Sequence, residues 1–129
     1  MNNKHELSYI LNHLGEDREN YYNAVSAPII LSSNFCFESV NDMRTKLEKE
    51  LETPFYTRGY NPTVAILRKK IAALEGAEDA LVFASGAAAI AAAVMSVVKG
   101  GDHVVCVQKP YSWTNTLISS YLAKYGVEH

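Results

Sequence analysis

A chain of 129 residues with a formal net charge of -2 has room for one modest core and lacks the basic balance of a nucleic-acid binder. Its longest apolar run, Ala87 to Val98, falls short of the about 20 residues that cross a bilayer, and the polar start predicts no secretory leader. The two cysteines, Cys36 and Cys106, lie far apart in apolar contexts, which predicts reduced, buried thiols and a cytoplasmic setting.

In chain order, Leu7, Ile10, Leu11 and Leu14 recur at helical spacing, so a short helix is expected over 6–14, ended by Gly15. The charged stretch 16–22 reads as an exposed arm. Ala27-Pro28-Ile29-Ile30-Leu31 is extended by its proline. Ser39 or Asn41 caps a helix reaching about Leu51, with Val40, Met43 and Leu47 on its face. An ordered loop follows over 53–60. Asn61 as cap and Pro62 at the first position open a helix over 62–75, and Gly76 closes it. Val64, Leu67, Ile71 and Leu74 form its apolar face.

Ala80-Leu81-Val82-Phe83 reads as a short strand, and the alanine-rich run 87–98 as a buried core helix. Gly100-Gly101-Asp102 turns the chain into a second buried strand over 103–107. Ser112 or Thr114 begins a helix that stops near Gly126, and Val127-Glu128-His129 looks like the start of a third strand. From residue 61 the alternation of helix and strand predicts an α/β sheet. Two or three strands leave such a sheet largely uncovered, so the chain is expected to be the first part of a larger protein.

The central pattern is the strand–turn–helix around Ala84-Ser85-Gly86-Ala87. The first N–H groups of a helix lack partners within it, and the helix dipole places partial positive charge there. Gly86 allows close approach of a ligand and Ser85 offers a capping hydroxyl, so the pattern suits a phosphate. The usual phosphate and nucleophile motifs GxGxxG, GxxxxGK[ST] and GxSxG are missing, as are HExxH and CxxC metal motifs. Two other places add to the site. Arg58, between Tyr56 and Tyr60 in a loop ordered by Gly59 and Pro62, can offer a bidentate fork to a phosphate. Tyr111 follows the 103–107 strand, at the sheet edge where open α/β sheets bind ligands, and offers a flat ring for stacking.

Tyr56-Thr57-Arg58-x-x-Asn61-Pro62-Thr63, Leu74-Glu75-Gly76, Ala84-Ser85-Gly86-x-Ala88-Ala89-Ile90, Gly101-Asp102 and Tyr111 occur in that order. The set resembles the Cys/Met-metabolism (trans-sulfuration) family of pyridoxal-phosphate enzymes, from about Ala27 to the end. That family includes cystathionine γ-synthase, cystathionine lyases, O-acetylhomoserine sulfhydrylase and methionine γ-lyase. The resemblance implies an aspartate-aminotransferase-like (type I) large domain, its N-terminal arm and phosphate-binding loop in residues 1–60 and the start of the α/β domain in 61–129. It implies pyridoxal 5'-phosphate as cofactor, with Gly86 and Ala87 giving backbone N–H groups to its phosphate. It implies a homodimer or homotetramer in which Tyr56 and Arg58 reach the phosphate in the neighbouring subunit. Tyr111, the candidate catalytic residue, would stack on the pyridine ring beside the amino-acid substrate.

The sequence departs from the family pattern in three places. Ala87 stands where methionine is common, a change that a backbone contact survives. Ser112-Trp113 follows Tyr111 where glycine-rich or glycine-cysteine pairs are usual, which counts against a methionine γ-lyase site. The Schiff-base lysine of a Ser-x-Thr-Lys motif, and the aspartate that pairs with the pyridine nitrogen, have no counterpart in this chain. The expectation is therefore the N-terminal part of an enzyme for β/γ-elimination or γ-replacement, inactive as these 129 residues. The alternatives are another type I enzyme, such as an aminotransferase, or a non-catalytic phosphate-binding or subunit-wrapping piece.

Overall fold

Capping residues set the helix ends. The computed structural model describes residues 6–129, with helices α1 (Leu7–Asn12), α2 (Val40–Leu47), α3 (Pro62–Glu75), α4 (Gly86–Met95) and α5 (Ser112–Thr116). Asn61 Oδ1 accepts the N–H groups of Thr63 at 2.9 Å and Val64 at 3.4 Å, so α3 starts at the expected proline. Gly76, at φ +65°, ends α3 by returning its N–H to the Ala72 carbonyl. Ser39 rather than Asn41 caps α2, its Oγ accepting the Asp42 N–H at 3.0 Å. This helix stops at Leu47, where turns take over and the Thr53 hydroxyl bonds to the Lys46 and Lys49 carbonyls. Past α5 the chain continues through a wide π-type turn over Leu117–Tyr121 and a tight 3-10 turn over Leu122–Tyr125. It ends at Gly126, as expected.

The described residues fall into two compact units, one ending at Ala80 and the other spanning Leu81–His129. In the first, α1 packs against α3, and the buried residues are Ile10, Ala65 and Ala72. The residues that α3 buries are thus its small alanines, Ala65 and Ala72. The expected apolar face does the opposite: Val64, Leu67, Ile71 and Leu74 are exposed. Nor is 16–22 wholly an exposed arm. Glu16 takes hydrogen bonds from Lys70 Nζ at 2.6 Å and Arg18 Nε at 2.8 Å, and Lys70 also donates to the Leu11 carbonyl. Residues 1–5 of the expected arm lie outside the described residues.

In the second unit α4 packs on α5, and the core is Ile118, Leu122 and Val127. The expected strands do not form ladders. A single parallel bridge joins His103 to Glu128, with the Val104 N–H donating to the Glu128 carbonyl at 2.8 Å. A ladder needs neighbouring strands, and among the described residues the 80–83 and 105–107 segments have none. Leu81, Val105 and Val107 are consequently 72%, 85% and 71% exposed. The same lack of cover accounts for three further differences. The helix α4 has no fully buried residue and ends at Met95 rather than Val98, and Cys36 and Cys106 are free but exposed. Among the described residues no helix is long and apolar enough to cross a membrane.

The hydrogen bond from Lys70, opposed by partial desolvation and helped by Arg18, holds the Glu16 carboxyl below the usual carboxylate range. A lowered carboxyl favours the folded state above the unfolded pKa, and that contribution disappears as pH falls through the lowered value. Hydrogen-exchange protection over 7–21 should therefore fall when the pH drops below about 4. Glu16→Gln should show the low protection already at neutral pH. Protection in the unmodified protein that does not change with acid would contradict the ion pair as the tether of α1.

Candidate functional site: a phosphate-binding helix start and an arginine loop

Residues 56–63 are held against the segment 28–34 by a set of polar side chains. An antiparallel bridge pairs Asn34 with Tyr56, and the Thr57 N–H donates to the Ser33 carbonyl at 3.0 Å. Asn61 Nδ2 donates to the Ile30 carbonyl at 2.9 Å and to Thr57 Oγ1 at 2.6 Å. Thr63 Oγ1 accepts the Ile30 N–H at 2.9 Å and donates to the Pro28 carbonyl at 3.1 Å. Thus Asn61 is both a helix cap and a loop anchor. The cap was legible in the sequence; the anchoring by Thr57, Asn61 and Thr63 was not, because their partners lie about thirty residues earlier.

Held this way, the loop presents Arg58 outward. Its guanidinium lies 4.7 Å from the Tyr56 ring centroid, a cation–π contact that orients the fork. Arg58 is exposed, makes no ion pair among the described residues, and so keeps its donors for an anion. Gly59 beside it is required by close approach. A Cβ there would lie 2.7 Å from the Glu50 carbonyl oxygen, which is backbone and cannot swing away.

The second group lies in the other unit. Ser85 is extended, at φ -156° and ψ 157°, and its Oγ accepts the Ala88 N–H at 3.1 Å. That cap uses one of the donors that a helix start leaves open. The Gly86 and Ala87 N–H groups find no acceptor among the described residues. Gly86 and Ala87 are exposed, and a Cβ added at Gly86 would meet nothing within 4 Å, so no described residue crowds the helix start. Two adjacent free N–H groups at the uncrowded positive end of a ten-residue helix fit a phosphate. Tyr111 is the residue before α5, its carbonyl accepting the Asn115 N–H, and it is 58% exposed. Ala87 shares a cavity of about 260 Å³ with Ile90, Trp113, Leu117 and Tyr121. The departure at Trp113 therefore lies on the same side of α4 as the candidate phosphate site. The structure brings together Tyr56 and Arg58 in one unit, and Gly86 and Ala87 in the other, where Tyr111 opens the helix packed on α4.

None of the described lysines is buried. Lys70 and Lys46 are taken up in ion pairs with Glu16 and Asp42, and Lys69, Lys99, Lys109 and Lys124 are exposed.

The fold is that of the N-terminal part of an aspartate-aminotransferase-like (type I) large domain, as superposition on solved structures shows. The solved structure of a putative O-acetylhomoserine (thiol)-lyase from Campylobacter jejuni superposes with a TM-score of 0.83 at 28% identity, over 95% of this chain and 30% of that one. That structure carries N'-pyridoxyl-lysine-5'-monophosphate. The family model for Cys/Met metabolism PLP-dependent enzymes matches residues 9–129, and the chain belongs to that family. It is 37% identical over 110 residues to an L-methionine gamma-lyase of Fusobacterium nucleatum, covering 85% of this chain and 28% of the relative. It is 34% identical over 116 residues to an O-acetyl-L-homoserine sulfhydrylase of Corynebacterium glutamicum, covering 90% of this chain and 26% of the relative. The chain thus spans less than a third of the length of these relatives.

Gly59→Ala should shift the loop and lower stability by about 1–3 kcal/mol, the usual cost of overpacking against atoms that cannot move. Gly86→Ala should leave the melting temperature unchanged or raise it. Thermal melts of the two variants side by side check this. Equal melting temperatures for Gly59→Ala and the unmodified protein would show that the approach to Glu50 is not a constraint.

Proposed function

We propose that the protein containing this chain is a pyridoxal-phosphate enzyme for β/γ-elimination or γ-replacement on sulfur-containing or O-acylated amino acids. The observation that carries this reading is the pair of free Gly86 and Ala87 N–H groups at the uncrowded start of α4, in a chain of this family. When bound, the cofactor supplies an electron sink for bond cleavage at the substrate's β or γ carbon. The chain's own residues hold and orient it. Gly86 and Ala87 donate to the phosphate, and Ser85 keeps the helix start in shape by capping it. Arg58 adds a charge-assisted fork and Tyr56 a neutral hydroxyl donor. Tyr111 offers a flat face to the pyridine ring and stands beside the substrate, where it is the candidate catalytic residue.

Gly86→Ala and Arg58→Ala each address one half of the phosphate site. In the full-length protein each should release cofactor more readily on dialysis while the fold persists. For Arg58→Ala the loss should be about ten- to a hundredfold in affinity, the worth of a desolvated charge-assisted hydrogen bond. Cofactor affinity unchanged in both variants would sink the assignment.

The working unit in this reading is at least a dimer, with Tyr56 and Arg58 serving the neighbouring subunit's site. Mixing an inactive Arg58→Ala subunit with an inactive subunit lacking the Schiff-base lysine should restore part of the activity. Mixed dimers with no recovery would show that each site is built from one chain.

The 129-residue chain alone should have no turnover. Lysine nucleophiles work from desolvated settings, and the described lysines have none. Incubation with cofactor, borohydride reduction and peptide mapping should find no stoichiometric label. A single labelled lysine with matching activity would contradict this.

A further inference from the structure

We draw no further inference here: the strongest candidate, the apolar cavity between α4 and the chain running from α5 into the Leu117–Tyr121 turn, lined by Ile90, Trp113, Leu117 and Tyr121, shares Ala87 with the phosphate site and so belongs to the site already described.

Discussion

Asn61 is the point on which the first unit depends. Its Oδ1 starts α3 and its Nδ2 fastens the arginine loop to the Ile30 carbonyl and Thr57. An amide is the side chain that can do both, because it carries an acceptor and two donors on one rigid group. Aspartate would keep the cap and lose the anchor. Pro62 then fixes the helix direction, and Thr63 ties the same turn to the Pro28–Ile30 segment. The loop that carries Arg58 thereby acquires a defined position. This matters for function, since a fork must be oriented before an anion arrives if its hydrogen bonds are to add affinity rather than offset ordering entropy.

The helix starts were the most legible part of the sequence. Asn61-Pro62, Ser85-Gly86 and Gly76 announce themselves because capping is local chemistry, decided by residues three or four apart. The phosphate site was readable for the same reason: it is a helix start with a small residue in front of it. What the sequence did not disclose depends on distant partners. The apolar stripe of α3 pointed to one packing face, whereas the residues that the structure buries on α3 are Ala65 and Ala72. Hydrophobic periodicity says which side of a helix is apolar, not which neighbour is present to cover it. Likewise Arg68 grips Asp79 and the Ala80 carbonyl and Lys70 grips Glu16, partners that no local pattern announces.

The strand-type segments make the same point from the other side. Residues 80–83 and 103–107 have the composition of buried strands and stand largely in solvent. Exposed apolar surface is unfavourable by about 25 cal/mol per Å², and contiguous patches of it mark surfaces that other elements cover. The Val64/Leu67/Ile71/Leu74 stripe and the apolar α4 belong to the same account. A chain that spans less than a third of its relatives' length carries its capping and loop chemistry complete, because those interactions are local. Its strand-type segments pair little: the His103–Glu128 bridge is the one parallel pairing among the described residues.

The central claim is that the start of α4 holds the cofactor phosphate. A crystal structure of the full-length protein with pyridoxal 5'-phosphate tests it most directly. The account predicts phosphate oxygens at about 2.7–3.2 Å from the Gly86 and Ala87 nitrogens. A phosphate bound elsewhere, with those two N–H groups covered by side chains, would contradict it.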